Sequence, residues 1–164
     1  MIVNHKNTGD LREAGINLSI IVDELIANQN LAKLLHYTDY DPLSHTEEVS
    51  RKTLFNKLIR FIPRLLPSET SESVVAVFIE SGLSNANEEF RDFIIKVQTY
   101  VPLTQWVIRD KNLRPFAIMS EVQKSLNGLS IDGVGKLRGG EVEINFLTEE
   151  MSCYEQTFIL TTYA

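Results

Sequence analysis

The sequence predicts an α+β fold: a mainly antiparallel four- to five-stranded sheet packed with two principal helices. Apolar residues keep a period of two over most of residues 72–164, which is typical of strands. That period changes once, over residues 115–126, to the three- and four-residue spacing of a helix, and a longer helical pattern covers residues 17–37. With 164 residues, the chain is expected to form a single domain over 17–164, preceded by a flexible arm at 1–16.

The first half of the chain predicts one long helix. The arm is polar, although Asp10 and Glu13 have the spacing of a capping box that would begin a short helical turn. The helix at 17–37 carries a polar interruption in its middle, Asn28-Gln29-Asn30. We expect this interruption to be a solvent-facing turn of an otherwise apolar helix.

The segment between this helix and the first long strand predicts irregular structure. Residues 38–50 are expected to form a loop and residues 52–56 a short helical turn. An extended piece is expected at 58–66, since Pro63 and Pro67 exclude a continuous helix. A strand that contains proline belongs at the edge of a sheet.

Four strands are predicted in the second half, where β-branched and aromatic residues are frequent. They are expected at 73–80, 93–101, 142–146 and 154–163. One face of the second of these strands is expected to be lined by Phe93, Ile95, Val97, Thr99 and Val101. The helix of this half is expected to begin at Pro115 and to end before Asn127-Gly128.

The connections between these strands also have interpretable patterns. Residues 82–89 predict a hairpin loop, 103–108 an extended arm and 109–112 a turn. Trp106 in the arm is either a plug over the core or an anchor of an interface, and the plug is favoured. Gly139-Gly140 indicates a turn or a bulge before the strand at 142–146.

The composition disfavours several functional classes. The formal charge is −6 and the pI is near 5.1, which disfavours nucleic-acid binding as the main function, because that binding needs clustered cations. The nearest approach to a basic patch, within residues 51–64, lacks an aromatic platform. Cys153 is the only cysteine, which excludes an internal disulfide and a thiolate zinc site. No apolar run reaches the roughly 20 residues of a membrane span, and the first residues lack the apolar core of a signal peptide, so we expect a cytoplasmic protein without membrane contact.

One polar cluster has the residue types of a metal site. Imidazole and carboxylate groups that could hold zinc or manganese occur at His36, Asp39, Asp41 and His45. Their spacing matches no common ligand pair, and polar residues after a helix are frequent in any protein. An ordinary polar loop is therefore favoured over a metal site.

Two other motifs are incomplete. The glycines of 133–140 suggest a phosphate-binding loop, but a helix precedes them and a strand follows, which reverses the order such a loop requires. We expect a flexible loop there. Neighbouring glutamates should raise the pKa of the Cys153 thiol, which disfavours a nucleophile. We therefore expect a protein without catalytic residues, cofactor or metal.

The order of elements and three segments carry a resemblance. The segments are Phe93-Ile-Ile-Lys-Val-Gln-Thr-Tyr-Val-Pro102, the helix region Leu113–Leu126, and the closing strand Tyr154–Tyr163. In this layout the chain resembles the tail terminator and tail-completion proteins of long-tailed bacteriophages. Residues 25–35 are also similar to phage neck proteins. The long connection at 38–72 and the polar first 16 residues depart from the pattern, which leaves the position within the neck open.

The resemblance implies a virion structural protein at the phage head–tail junction, made in the host cytoplasm. Such a protein would form a homo-oligomeric ring, usually hexameric, that terminates the tail tube and joins it to the head connector or stopper proteins. DNA would pass through the acidic channel without specific binding. Edge strands and long loops would contact neighbouring subunits, and the candidate interface residues are Asp39, Tyr40, Asp41, Asn85, Asn87, Trp106, Arg109 and Arg138.

Three alternatives remain open from the sequence. The first is a head-completion or adaptor protein of the same neck. The second is a small metal-dependent enzyme that uses the cluster between residues 36 and 45. The third is a monomeric regulatory binding module.

Overall fold

A curled six-stranded sheet forms the centre of the structure, in the order β1-β2-β3-β8-β7-β6. The computed structural model describes residues 11–61, 71–84, 90–132 and 134–163. The strands of the sheet are β1 (Ile59–Arg60), β2 (Val74–Ser84), β3 (Phe90–Pro102), β6 (Ser130–Ile131), β7 (Gly135–Leu147) and β8 (Met151–Tyr163), while β4 (Val107–Ile108) and β5 (Asn112–Leu113) form a separate pair. The mainly antiparallel sheet is confirmed, and β1 alone among these strands pairs in parallel, with β2.

The predicted count of four to five strands is wrong for the sheet. Strand β6 is the one that the prediction lacks, and it has two residues, as β1 does. A two-residue strand has no alternation for a period of two to detect. The proline-bearing segment at 58–66 does contribute an edge strand, since β1 lies at the end of the sheet. Residues 62–66 of that prediction lie outside the described residues.

The described residues form four α-helices, so the prediction of two principal helices covers only part of them. They are α1 (Leu11–Ala27), α2 (Gln29–His36), α3 (Arg51–Leu54) and α4 (Arg114–Leu126). The helix predicted at 115–126 is confirmed as α4, and the turn predicted at 52–56 corresponds to α3. None of the described helices is long and apolar enough to span a membrane.

The single helix predicted at 17–37 is wrong at its start and in its middle. Helix α1 already begins at Leu11, within the segment predicted as an arm, and residues 1–10 lie outside the described residues. Asn28 separates α1 from α2, because its side-chain oxygen accepts a hydrogen bond from the Leu31 N–H and caps the second helix. Its amide nitrogen donates to Glu121 and Ser125 of α4. Asn28 therefore fixes a helix–helix contact rather than facing solvent.

The helices pack on one face of the sheet, and buried side chains lie on both faces; Val74, Ala76, Tyr100 and Cys153 are buried on the face opposite to the helices. All five β3 residues predicted to share a face are buried. On β8 the same face carries Phe158 and Gln156, and the Gln156 side chain donates to the Met119 carbonyl of α4. Helices α1, α2 and α4 also contact one another, so they form a single layer on this face of the sheet.

Three predicted connections differ from the structure. Strand β2 continues to Ser84, so residues 82–84 of the predicted loop belong to a strand, and residues 85–89 lie outside the described residues. The arm predicted at 103–108 is a 3-10 turn, Leu103–Gln105, followed by β4. The flexible loop predicted at 133–140 is wrong, because β7 begins at Gly135. Within β7, the predicted bulge at Gly139-Gly140 is confirmed by a register shift against β8.

Candidate interaction surface

A fully buried arginine fixes the loop that follows α2. Arg114, the first residue of α4, has no exposed surface. Its guanidinium donates to the carbonyl oxygens of Leu34 (2.6 Å), Tyr37 (2.7 Å), Asp39 (2.6 Å) and Gln105 (2.8 Å). The last carbonyls of a helix lack partners within the helix and carry a partial negative charge, which the cation satisfies at the end of α2.

Burial lowers the pKa of Arg114, and the charge of nearby Asp39 partly opposes this effect. Among the described residues, every hydrogen-bond partner of the guanidinium is a backbone carbonyl, and no carboxylate binds the cation directly. Arg114 thus joins the end of α2, the following loop and residue 105 into one rigid unit. The sequence gives no signal for this role, because an arginine before a proline is usually exposed.

The loop held by Arg114 brings together four of the predicted interface residues. The Arg109 N–H donates to the Tyr40 carbonyl at 2.8 Å, and the Arg109 guanidinium contacts the Asp41 carboxylate at 2.7 Å. This carboxylate raises the pKa of Arg109, both through the hydrogen bond and through its charge. Asp39 contacts the His45 ring at 2.7 Å. The Tyr40 side chain is 58% exposed, so a rigid loop presents an aromatic ring to solvent.

The remaining predicted interface residues are dispersed. Trp106 is half-buried against the core and its indole N–H donates to Ser152 at 2.9 Å, the geometry of a core plug. Arg138 lies exposed on β7, opposite Ile159. Asn85 and Asn87 lie outside the described residues.

The candidate metal ligands do not converge on one point. Asp39 is paired with His45, whereas Asp41 is paired with Arg109. The His36 ring lies edge-on against Tyr37. In the described part of the chain, no group of three or more His, Cys, Asp or Glu side chains is arranged to hold a metal ion.

Cys153 is a buried thiol. Burial raises its pKa to about 12, hydrogen bonds with Asn145 and Tyr100 oppose this shift, and the charge of Glu155 adds to it. The expected direction of the shift is confirmed, but burial rather than the glutamates is its main cause. A thiol with this pKa is not ionised near neutral pH, so it does not act as a nucleophile.

Strand β7 exposes apolar side chains that sequence analysis did not select as a surface. Val142 is 52% exposed, Ile144 53% and Leu147 59%. β6 pairs with β7 only at Gly135 and Lys136, so among the described residues the outer edge of β7 has no strand partner from Gly140 to Leu147. The alternation of glutamate with Val142 and Ile144 indicated a strand, but a period of two does not distinguish an edge strand from an internal one.

An open cleft of about 460 Å³ lies beside this edge, between β7 and α4. Its walls include Phe116, Met119, Gln123, Val142 and Gln156. Phe116 is 45% exposed and its ring lies 5.2 Å from that of Tyr154. The helical layer therefore leaves an apolar strip along the second half of β7 uncovered.

The opposite end of the sheet is basic. Five Lys and Arg residues and no acidic residue occur between Glu48 and Glu69. Three of these residues, Arg51, Lys52 and Lys57, lie exposed on α3 or on the turn before β1. From Gly139 to the last residue of the sequence there are five glutamates and no Lys or Arg. The second half of β7 is thus acidic and the α3–β1 end of the sheet is basic, whereas the first half of β7 carries exposed Lys136 and Arg138.

These features define a class: an α+β protein with a curled, mostly antiparallel six-stranded sheet covered on one face by helices. The sequence model of the YomW family matches residues 28–160, which extends from the cap of α2 into β8. The chain therefore belongs to the YomW family, a Bacillus phage-type protein family, and it is a phage-related protein. None of the curated proteins matches the chain.

Proposed function

We propose that this protein is a virion structural protein at the phage head–tail junction. It forms a homo-oligomeric ring, hexameric by the resemblance described above, that terminates the tail tube and joins it to the head connector. The observation that carries the proposal is the apolar edge of β7, which has no strand partner in the part of the chain that the structure describes, in a phage-related protein. An unpaired strand edge is a template for association, and proteins that work alone usually protect it with lysine, proline or a covering segment.

The charge of the chain supports this function. A formal charge of −6 makes a ring of several copies strongly acidic. DNA passing through such a ring is repelled rather than bound, because phosphate binding depends on clustered cations. The rigid Tyr40 loop gives each subunit a second contact surface, directed towards tail-tube or connector proteins.

Catalysis is not part of the proposed function. The four candidate ligands are divided among separate contacts, and Cys153 carries a raised pKa. A metal-dependent enzyme needs several ligands around one point with an open position for substrate. The described side chains favour an interaction protein.

The test uses the phage that carries this gene. Deleting the gene, with complementation from a plasmid, is expected to yield full heads and free tails that do not join, with tail tubes of abnormal length in electron micrographs. Tubes of abnormal length are expected because a terminator stops polymerisation of the tube. The complemented phage is the control.

Immunogold labelling should place the protein at the neck of wild-type particles. Two results would contradict the proposal: wild-type particles that do not contain the protein, and a deletion phage whose heads and tails still join into particles of normal infectivity. Heads that lose DNA while tails keep their normal length would instead identify a head-completion protein. Substituting His36 and His45 by alanine is expected to leave assembly intact, whereas an enzyme would lose its activity.

A further inference from the structure

The outer edge of β7 combines exposed apolar side chains with a backbone that lacks a strand partner among the described residues. From Gly140 to Leu147 it has strand β8 on one side and no strand on the other among the described residues. Val142 lies opposite Gln156 and Ile144 lies opposite Tyr154, so both apolar side chains share the face of the sheet that carries the helices. Their exposure leaves apolar surface whose burial would favour association.

Acidic side chains accompany the apolar ones along this edge. Glu141 and Glu143 are exposed, and no ion pair involves either residue in the described part of the chain. Glu143 also lies opposite Glu155, whose own carboxylate contacts Lys96 at 3.1 Å. Pairing two copies of β7 edge to edge would bring these glutamates together, and like charges across a strand pair are destabilising. The edge therefore disfavours a symmetric β7–β7 dimer.

The end of the sheet at α3 and β1 has the complementary properties. Lys52 and Lys57 are exposed and take part in no ion pair within the described residues. Phe55, between them, is 41% exposed and offers apolar surface. Arg60 and Lys57 border a cleft of about 440 Å³, which Glu72 also lines.

We propose that the β7 edge of one copy, Gly140–Leu147, docks on the basic end of the sheet, Arg51–Arg60, of the next copy. The inference rests on the proposed ring function and names its subunit interface. Glutamates of β7 would meet Lys52 and Lys57, while Val142 and Ile144 would bury their side chains near Phe55. Since the two surfaces lie at opposite ends of one sheet, the contact is head-to-tail, and such a contact closes into a ring when the rotation between copies allows.

Charge reversal tests this interface with full-length protein. Two double variants are compared. One carries Glu141→Lys and Glu143→Lys, and the other carries Lys52→Glu and Lys57→Glu. Either variant by itself brings like charges together at the proposed interface. Each is expected to weaken self-association at least tenfold in sedimentation and native mass spectrometry at low salt. An equimolar mixture is expected to recover assembly, because alternating copies restore opposite charges at every contact. Closed species in the mixture should contain an even number of subunits.

A matched control keeps the change in net charge but moves it elsewhere. Asp110→Lys with Asp132→Lys reverses two exposed acidic residues outside both surfaces and should assemble as the wild type does. Circular dichroism of every variant checks that the fold is retained. A mixture of the wild type with the variant that carries Glu141→Lys and Glu143→Lys tests whether two β7 edges pair with each other instead. If this mixture associates more strongly than either protein alone, the β7 edges pair with each other and the inference is overturned.

Other results also decide the question. Variants that assemble as the wild type does, or a mixture that stays dissociated, overturn the inference. A wild-type protein that remains monomeric up to about 1 mM overturns it as well, since an interface weaker than that has little intrinsic affinity. None of these results removes the protein from the phage neck, so the microscopy of deletion particles tests the proposed function separately.

Discussion

Replacing Arg114 by methionine tests whether the buried cation holds the loop after α2. Methionine keeps an unbranched side chain of similar length but removes every donor. The change leaves four carbonyl oxygens without the guanidinium, those of Leu34, Tyr37, Asp39 and Gln105. The bonds to Leu34 and Gln105 are buried, whereas those to Tyr37 and Asp39 lie nearer to solvent.

The magnitude follows from the two buried carbonyls. A buried polar group that loses its partner costs ~1–3 kcal/mol, so Leu34 and Gln105 together account for about 2–6 kcal/mol. Water can replace the guanidinium as the partner of the other two carbonyls. The variant also no longer buries a charge, and this offsets part of the lost stability. We expect the free energy of unfolding to fall by about 2–5 kcal/mol, a large part of the 5–15 kcal/mol typical of a domain.

Urea unfolding followed by tryptophan fluorescence measures this change. Arg114→Lys keeps the charge but not the planar fork of donors, so its free energy of unfolding should lie between those of the wild type and of Arg114→Met. Arg109→Met removes a guanidinium whose side chain is 64% exposed and should shift the unfolding midpoint much less. If Arg114→Met lowers stability by less than about 1 kcal/mol, the carbonyls find other partners and the proposed role of Arg114 is wrong.

Three further predictions concern single sites. The Cys153 thiol, with a pKa raised to about 12, should react with a disulfide reagent at pH 8 only after unfolding, and a fast reaction of folded protein would contradict its burial. Asn28→Ala removes the cap of α2 and its bonds to α4, so urea unfolding should show a loss of about 1–3 kcal/mol; an unchanged midpoint would refute this role. Gly135→Ala would press a methyl group against the Thr161 carbonyl and lower the melting temperature. Its control, Gly15→Ala, has open space in a helix and should be about 0.5–1 kcal/mol more stable.

The elements that periodicity predicted well are those in which the apolar positions keep one period without interruption. Strand β3 keeps its apolar face from Phe93 to Val101, and all of those positions are buried. Helix α4 has proline in its first turn and ends at Leu126, as its flanking signals indicate. In both cases the local pattern and the tertiary packing agree, so a short window of sequence contains enough information.

The elements that were missed depend on contacts distant in the sequence. The apolar spacing of three and four residues continues across Asn28, so only the position of Glu121 and Ser125 on α4 reveals why the helix breaks there. The first half of β7 contains Gly135 and Gly140, where a Cβ would meet the backbone of β8, and this glycine-rich composition suggests a loop. Burial of Arg114 likewise depends on carbonyls about 75 to 80 residues away.

Helix α4 runs beside β7 and leaves its second half uncovered. The C-terminal end of α4 lies beside the first half of β7, where the Gly139 N–H donates to Asn127, and residues nearer its start border the cleft with Val142. A protein that worked alone would be expected to carry lysine or proline along such an edge. Here Val142 and Ile144 occupy the edge, and the nearby charges are glutamates that repel a second copy of the same strand while suiting the basic end of the sheet. At the interface we propose, this combination would both permit association and select its direction, which is what a ring of identical subunits requires.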